Sequence, residues 1–342
     1  MSCIASEEDL CDMADKTILI TGGAGYIGSH TNALFCERGY DTIILDNLVY
    51  GHKECVLGGK FMQGDISDAK LLDKIFTENK IDAVVHFAAF AYVGESVSNP
   101  SKYYNNNVAN TITLLDAMVR HGVKNFIFSS TCATYGVPPK MPITESTEQK
   151  PINPYGASKL MVERVAKDYA AAYGIKFCIF RYFNAAGADP QCRMGEWHDP
   201  ETHIIPLVLD AAIGRREAIS IFGTDYPTKD GTCVRDYIHV ADLADAHLRA
   251  YEHLASGGDC QFLNLGTMKG ISIRELIGVA KKVTGVNFAV KEAGRRAGDP
   301  PELIGSMEKA RAVLGWTPVH SDIEEIVSHA WAWHKKLYGG LK

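Results

Sequence analysis

The chain of 342 residues lacks an excess of positive charge, a paired-cysteine motif and a long apolar run. Its net charge of −6 argues against a nucleic-acid partner, because nucleic-acid-binding surfaces carry an excess of lysine and arginine. No apolar run approaches the roughly 20 residues that a membrane-spanning helix needs, so we expect no membrane partner. Any anionic ligand must therefore be held by a local cluster of basic side chains.

The cysteine and histidine patterns exclude further classes of site. The nine cysteines are odd in number and scattered, and they form no CxxC, which argues against a disulfide framework and a zinc knuckle. The histidines show neither HxH nor HExxH spacing, so we expect no metal site. Residues 1–15 are acidic without an apolar core, which predicts a poorly ordered extension rather than a signal peptide. Reduced thiols in a cytoplasmic protein are the expected state.

Short apolar runs alternate with longer helical patterns in the first half of the chain. The runs are rich in Ile, Val and Phe, as in strands buried on both faces, and cover residues 16–21, 41–46, 82–88, 125–130 and 176–183. Helical periodicity covers residues 26–38, 68–78, 103–121 and 155–173. This alternation predicts an α/β fold with a Rossmann-type doubly wound parallel sheet. Ligands of such sheets lie at the carboxyl ends of the strands.

The pattern changes after residue 184. Residues 185–202 are rich in Gly, Asp and Pro without clear periodicity, and residues 222–232 are rich in turn formers. Helical patterns return at residues 204–214, 241–255, 271–284 and 322–338. We therefore predict three parts, between which the chain can cross more than once: the extension (1–15), a Rossmann domain (16–184) and a smaller C-terminal α/β substrate-binding lobe (185–342).

The segment "TILITGGAGYIGSH" places Gly22, Gly25 and Gly28 between a predicted strand and a predicted helix. Glycine permits the tight turn and lets the backbone approach a pyrophosphate, while the helix N-terminus offers free N–H groups. Asp46 ends the next strand eighteen residues after Gly28 and suits a ribose 2′-hydroxyl, which favours NAD over NADP. The alternative is a tight turn in a nucleotide-free fold. Asp65 fits either an adenine contact or an acid at a helix start.

The segment "NPYGASK" places Tyr155 four residues before Lys159, on one face of a predicted helix. An ammonium and the positive nicotinamide of NAD⁺ both favour a phenolate, which could take a hydroxyl proton while hydride leaves the same carbon. "SSTCATYG" presents further hydroxyls at a strand end, including Ser129 and Thr131. The alternatives are a half-exposed surface pair for Tyr155 and Lys159, and turn formation for the Ser/Thr run.

At this point the motifs resemble the extended short-chain dehydrogenase/reductase family over nearly the whole chain. They are "GGAGYIGSH", "DNL", "HFAA", "VGES", "SSTCATYG", "NPYGASK", "RYFNAAG", "GTDYPTKDGTCVRDYIHVADLADAH", "NLGT" and "RRAGDPP". "RYFNAAGAD" and "DGTCVRDYIHVADLADAH" are the most specific, and they are similar to those of nucleotide-sugar 4-epimerases. The resemblance implies NAD-dependent interconversion of UDP-glucose and UDP-galactose: hydride leaves C4 for NAD⁺, a transient 4-keto-hexose turns over, and hydride returns to its opposite face.

The resemblance also implies roles for individual residues. Tyr155 would be the base, Lys159 its partner and Thr131 the catalytic hydroxyl. The cofactor contacts would be Gly22, Gly25, Tyr26, Ile27, Gly28, Asp46, Asn47, Asp65, Ile66, Phe87, Ala88, Ala89, Asn106, Ser129, Tyr155, Lys159 and Tyr182. The substrate contacts would be Thr131, Tyr155, Asn184, His203, Ile204, Phe222, Arg235, Arg296 and Asp299. A homodimer through the helices near 103–121 and 155–173 is expected on the same ground.

Two departures from the family pattern affect these expectations. Ala91 stands where many relatives have a cofactor-contacting lysine, and Leu303 stands where residue size is thought to govern N-acetylated sugars. Leu303 leaves a UDP-N-acetylglucosamine 4-epimerase as an alternative, and a UDP-xylose/UDP-arabinose 4-epimerase is another because "SSTCATYG" and "GTDYPTKDGTCVRDYI" fit it about as well. A 4,6-dehydratase is disfavoured because Cys132 and Ala133 follow Thr131 where those relatives have Asp–Glu. A non-catalytic NAD-bound regulator is disfavoured because both Tyr155 and Lys159 are present.

Overall fold

A computed structural model of the protein describes residues 16–296 and 298–339, so the predicted extension at residues 1–15 lies outside the described residues. The chain divides into two units. The first comprises the described residues up to Ser130, Ala157–Ile179 and Ala244–Phe262; the second comprises Thr131–Gly156, Phe180–Leu243 and the described residues from Leu263 onward. The chain thus passes between units several times. The predicted functional division at residue 184 stays a prediction.

The secondary structure alternates strands and helices through the first half of the chain. The strands are β1 (Thr17–Thr21), β2 (Asp41–Asp46), β3 (Lys60–Gln63), β4 (Ile81–His86), β5 (Asn125–Thr131), β6 (Lys176–Tyr182), β7 (Asn184–Ala186), β8 (Ala218–Phe222), β9 (Val234–His239), β10 (Gln261–Leu265), β11 (Gly270–Ser272), β12 (Ala289–Ala293) and β13 (Glu302–Leu303). The α-helices are α1 (Tyr26–Glu37), α2 (Ala69–Glu78), α3 (Val93–Ser98), α4 (Pro100–Tyr103), α5 (Asn110–Arg120), α6 (Pro154–Tyr173), α7 (Ile204–Ile213), α8 (Val240–Ala255), α9 (Ile273–Thr284), α10 (Glu308–Leu314) and α11 (Ile323–Tyr338).

Seven strands form one sheet in the order β10-β6-β5-β4-β1-β2-β3. Its neighbours β1–β2, β1–β4, β2–β3 and β4–β5 run parallel. The order reverses between β1 and β4, which is the doubly wound arrangement that the sequence predicts. The structure adds β3 and β10 to the five predicted strands. Because the strand order reverses there, the carboxyl ends of β1 and β4 border the crevice where this fold binds ligands.

The first unit is held together by apolar side chains of the strands and the helices that follow them. Its core is Leu19, Ile43, Leu45, Ile66, Leu72, Ile75, Phe76, Ile81, Val84, Leu114, Leu115, Ala117, Met118, Val123, Phe126, Phe128, Val162, Ala166, Ile175, Phe177 and Ile179. The alternate strand residues Ile18, Ile20, Ile44 and Ile127 are fully buried as well, so the apolar runs are covered on both faces of the parallel sheet. In the described part of the chain, no helix is both long and apolar enough to cross a membrane.

The second unit has its own sheet and core. Strand β9 pairs antiparallel with β11 and parallel with β13 and β7, and β8 pairs parallel with β12. Helices α7, α9 and α11 contribute apolar residues such as Leu209, Leu276 and Ile326 to one cluster. Ser272 and Glu275 form a reciprocal capping box that fixes the start of α9. After the last two residues of β7, the aperiodic segment up to residue 202 is irregular, with short turns and bends and one isolated bridge between Ala188 and Gly195.

Candidate active site

The glycine turn after β1 is built for close backbone approach. Gly22 has φ +73°, and a Cβ atom there would lie 2.5 Å from the backbone nitrogen of Ala88. A Cβ atom on Gly28 would lie 2.2 Å from the carbonyl oxygen of Gly22. No side chain caps α1 at Gly25, so the backbone N–H groups of its first turn can bind an anion. This glycine cradle fits the pyrophosphate of a dinucleotide.

Asp46 closes the cradle from the end of β2. Its carboxylate accepts hydrogen bonds from the backbone N–H groups of Ala24, at 3.0 Å, and Leu48, at 2.8 Å. Burial raises the pKa of this carboxyl from its ordinary value, although both N–H groups oppose the shift. Each oxygen keeps a further lone pair for a ribose hydroxyl. The predicted cofactor acid therefore sits beside the phosphate turn.

Asp65 is free of the capping role that the sequence left open. The N-cap of α2 is Asp68, whose side chain accepts from the N–H groups of Lys70 and Leu71. Asp65 instead accepts a hydrogen bond from the side chain of Asn47 at 2.7 Å. This hydrogen bond links two predicted cofactor residues, Asn47 after β2 and Asp65 after β3.

Lys159 lies buried on α6. Its ammonium donates to the carbonyl oxygen of Ser129 at 2.8 Å and stands 4.8 Å from the centre of the Phe128 ring. Burial lowers the pKa of Lys159 to about 7. Near neutral pH the side chain therefore exchanges readily between its charged and neutral forms.

Tyr155 begins the same helix, one turn before Lys159. Desolvation raises the pKa of its phenol to about 12, although a hydrogen bond with Thr131 opposes the shift. Thr131 ends β5 and accepts a hydrogen bond from the N–H of Ala133 at 3.1 Å. The sequence spacing suggests a depressed phenol pKa, but desolvation is the larger effect, so the phenol by itself is a proton donor at neutral pH.

Asn107 is a further residue of this region that the motifs did not predict, since the resemblance implies a role for the neighbouring Asn106 instead. The predicted helix 103–121 is interrupted by a π-helical turn at Tyr104–Ala109, a feature common at functional sites. Within it, Asn107 is buried and exchanges two hydrogen bonds with the backbone of Phe90, at 2.9 and 3.0 Å. It also donates to the hydroxyl of Ser158 at 3.1 Å, next to Lys159. Asn106 donates to Asn107 at 3.0 Å. The run of three asparagines at residues 105–107 was the sequence signal that could have indicated this residue.

The other predicted cofactor residues follow or end strands of the first sheet, except Tyr26 and Ile27, which begin α1. Phe87 and Ala88 follow β4, where each N–H donates to the carbonyl oxygen of Thr21, and the Phe87 ring lies 4.7 Å from that of His247. Those named by resemblance alone, and not placed in a contact above, are Tyr26, Ile27, Ile66, Ala89 and Tyr182. Their cofactor roles stay predictions.

The second unit brings the predicted nucleotide-binding residues together in pairs. The guanidinium of Arg296 stacks 3.9 Å from the centre of the Phe222 ring. Arg235 donates to the carbonyl oxygen of Pro300 at 2.9 Å and stands 3.5 Å from the carboxylate of Asp299. Asn184 donates to the carbonyl oxygen of Asp236 at 3.0 Å. An arginine fork beside an aromatic ring suits a phosphate and a base.

Ile204 begins α7 and His203 precedes it as the N-cap residue. His203 also belongs to a cluster that the sequence did not indicate. Its Nδ1 lies 2.7 Å from a carboxylate oxygen of Glu196 and 3.0 Å from one of Glu201. Burial opposes the imidazolium charge, but the two carboxylates outweigh it and raise the pKa of His203. Leu303, one of the two family departures, packs on β13 against an apolar cluster that includes Phe183.

Comparisons with known proteins identify the family of the chain. Residues 18–266 match the model of the NAD dependent epimerase/dehydratase family. A UDP-glucose 4-epimerase of Rhizobium meliloti is 51% identical over 328 residues, which are 96% of this chain and 100% of that protein. The crystal structure of UDP-glucose 4-epimerase from Brucella ovis in complex with NAD has a TM-score of 0.91 and 48% identity, covering 93% of this chain and 98% of its own.

A second similar structure was solved with UDP bound in addition to NAD⁺. It is UDP-glucose 4-epimerase from Bifidobacterium longum in complex with NAD⁺ and UDP, with a TM-score of 0.89 and 36% identity, covering 95% of this chain and 100% of its own. The matches span both units rather than the dinucleotide fold alone. The resemblance seen in the motifs is thereby confirmed: the chain belongs to the NAD-dependent epimerase/dehydratase family, among its UDP-glucose 4-epimerases.

Proposed function

We propose that Tyr155, Thr131 and Lys159 carry the proton chemistry by which this enzyme interconverts UDP-glucose and UDP-galactose with NAD. The observation that carries the proposal is the hydrogen bond between Thr131 and Tyr155, one helical turn ahead of the buried Lys159. NAD, when bound, supplies the acceptor for hydride from C4 of the hexose and the donor that returns it. The chain's own residues then have to bind the cofactor and the sugar nucleotide, orient them and move one proton.

The first unit would hold the cofactor through its backbone and one carboxylate. The glycine turn at Gly22 and Gly28 leaves room for phosphate oxygens against the start of α1. Asp46 would accept the adenosine ribose hydroxyls and would repel a 2′-phosphate. Lys159 would donate to the other ribose, since its ammonium has only one hydrogen bond to Ser129 among the described contacts and carries three donors.

Tyr155 would exchange a proton with the hydroxyl at C4. As a phenolate it removes the proton when the sugar is oxidised, and as a phenol it gives the proton back to the keto oxygen on reduction. Desolvation holds the pKa of the phenol at about 12, so the phenolate needs positive charge close by during oxidation. Lys159 would supply part of that charge. Thr131 would hydrogen-bond the reacting oxygen and relay its proton to Tyr155.

The second unit would bind the UDP portion. Arg235, Arg296 and Asp299 would hold the diphosphate and ribose, with Asn184 beside them and Phe222 near the uracil. His203 and Ile204 would complete this end of the site. Binding energy would thus come from a part of the substrate that does not react. The hexose stays free to turn and presents either face of C4 to the hydride.

The role of the Thr131 hydroxyl is tested by a pair of substitutions. Thr131→Val keeps the shape but removes the hydroxyl, whereas Thr131→Ser keeps the hydroxyl. UDP-glucose formed from UDP-galactose is followed with a UDP-glucose-specific coupling dehydrogenase. We expect kcat to fall by about 100-fold or more in Thr131→Val and to be largely kept in Thr131→Ser. Equal activity of the two variants would refute the relay.

We also propose a cytoplasmic homodimer that uses α5 and α6. The hydroxyl of Tyr169 donates to Asp116 at 2.5 Å, which links the two helices. Met161 and Tyr173 on α6 are 46% and 49% exposed, apolar surface that a second copy would cover. Light scattering after gel filtration should give about twice the chain mass of 37.4 kDa. A monomeric mass would contradict the dimer, and recovery in a membrane fraction would contradict the location.

A further inference from the structure

The loop between β7 and α7 carries two imidazoles and two carboxylates that face one another. They are Glu196, His198, Glu201 and His203, and one donor atom from each lies within 4.8 Å of the donor atoms of the other three. All four lie in the second unit. The epimerisation chemistry uses none of them as a group. Only His203 has an expected role, as a contact to the nucleotide.

The spacing of the donor atoms is close to that of a tetrahedral metal site. His203 Nδ1 lies 2.7 Å from Glu196 Oε1 and 3.0 Å from Glu201 Oε1. His198 Nδ1 lies 3.3 Å from Glu196 Oε1 and 3.5 Å from Glu201 Oε2. Bonds of about 2.0–2.1 Å in a tetrahedron place neighbouring donor atoms about 3.3–3.4 Å apart. Three of these four distances therefore lie within about 0.4 Å of that spacing, and the shortest, between His203 and Glu196, has to lengthen by about 0.7 Å.

The surroundings fix one carboxylate of the cluster and the backbone of two of its other residues. The backbone N–H groups of Thr202 and His203 both donate to Glu201 Oε1, at 2.6 and 2.7 Å. Trp333 donates its indole N–H to the carbonyl oxygen of Glu196 at 3.1 Å. His203 is also the N-cap residue of α7, which fixes its backbone, while its side chain makes no capping hydrogen bond. Such outer contacts orient the ligands of metal sites before the ion arrives.

We propose that Glu196, His198, Glu201 and His203 bind one divalent transition-metal ion, with zinc the best match. Zinc accepts mixed imidazole and carboxylate ligands in four-coordinate sites, whereas magnesium and calcium take oxygen ligands. The side chain of His203 is 48% exposed, which leaves a route for the ion. The ion would tie the aperiodic loop to the start of α7. It takes no part in the hydride or proton transfer, so the proposal stands apart from the proposed function.

The competing interpretation is a network of Glu–His ion pairs without an ion. In that network each Nδ1 shares a proton with a carboxylate, and a metal ion has to displace those protons. The two interpretations differ in stoichiometry and in spectroscopic signature. They predict the same static hydrogen bonds, so binding has to be measured directly.

The experiment uses the full-length protein, freed of metal by a chelator and then passed through gel filtration with excess Zn²⁺ or Co²⁺. We expect about one retained ion per chain, and visible d–d bands of tetrahedral Co²⁺. His198→Gln and Glu201→Gln should each abolish retention. His320→Gln is the matched control, because His320 Nδ1 forms an equivalent pair with Glu325 at 2.6 Å. That variant should bind like the wild type.

Several outcomes overturn the proposal. One is the absence of a retained ion in the wild-type protein, which leaves ion pairs only. Others are equal retention by His198→Gln, or a thiolate-to-cobalt charge-transfer band, since no cysteine belongs to the cluster. Should a variant fail to fold, the Co²⁺ spectrum of the wild type still decides, because an octahedral spectrum contradicts four-coordinate binding. Epimerase activity is not part of the readout.

Discussion

Replacing Gly22 by alanine separates two reasons for a glycine in the phosphate turn. Gly22 combines φ +73° with a close approach, since a Cβ atom would lie 2.5 Å from Ala88 N and 2.8 Å from Ala88 Cα. Gly39 has a similar φ of +85°, but its Cβ atom would meet nothing within 4 Å. Gly39→Ala therefore bears the conformational cost alone. Gly22→Ala bears that cost and a collision with rigid backbone.

The expected magnitudes follow from these two contributions. A positive φ costs alanine about 1–2 kcal/mol, and the stiffer unfolded chain offsets about 0.4–1 kcal/mol of it. Gly39→Ala should therefore lower the free energy of unfolding by roughly 1 kcal/mol. The collision at Gly22 adds about 1–3 kcal/mol, for a total of roughly 2–4 kcal/mol. The turn must also shift away from Ala88, so the phosphate cradle should be lost in this variant alone.

Two measurements check the pair of variants. Urea titrations followed by circular dichroism give the free energies of unfolding, and the NAD content after gel filtration gives cofactor retention. Gly22→Ala should be the less stable and should lose NAD, whereas Gly39→Ala should keep it. Equal destabilisation of both variants, or full NAD retention by Gly22→Ala, would refute the argument that close backbone approach fixes this glycine.

Three further predictions use other parts of the site. Because burial lowers the pKa of Lys159 to about 7, the unfolded chain binds more protons than the folded one between pH 7 and about 10.5, and the free energy of unfolding should rise in that window by up to about 1.4 kcal/mol per pH unit. Urea titrations should show this slope missing in Lys159→Met, and an identical slope in the variant would contradict the lowered pKa. Asp46→Ala should weaken NAD binding and reduce the preference for NAD over NADP, as measured by fluorescence titrations. An unchanged ratio of the NAD and NADP affinities would exclude Asp46 as the residue that binds the adenosine ribose. Arg296→Leu should raise the calorimetric Kd for UDP by about 10-fold or more. Arg295→Leu, which breaks the exposed ion pair with Asp225, should change this Kd little. Equal effects of the two substitutions would count against Arg296 as a specific contact to UDP.

The parts of the fold that the sequence predicts are those with a local signal. Strand β1 and the turn after it are visible because an apolar run and three glycines stand in one short segment. Strand β3 is not predicted, because Lys60–Gln63 lies at the sheet edge and has no continuous apolar run. The π-helical turn at Tyr104–Ala109 is not predicted either, since one wider turn within a helix has no signature in the amino-acid composition.

The chemical environment of the site is harder to predict than its residues. The spacing of Tyr155 and Lys159 identifies the pair, but it says nothing about desolvation, which raises one pKa and lowers the other. The capping of α2 by Asp68 rather than Asp65 depends on which of these two acids directly precedes the first residue of the helix. The cluster around His203 comes together through the path of an aperiodic loop. Each of these features depends on tertiary packing, which short sequence patterns do not encode.

The measurement that tests the central claim most directly is the turnover of Tyr155→Phe with UDP-galactose in the coupled assay. Tyr237→Phe is the control, because it removes another desolvated phenol of the second unit that has no hydrogen bond in the described chain. We predict a fall in kcat of at least about 100-fold for Tyr155→Phe, with UDP-sugar binding kept, and near wild-type turnover for the control. Full activity of Tyr155→Phe would contradict the assignment of Tyr155 as the acid and base.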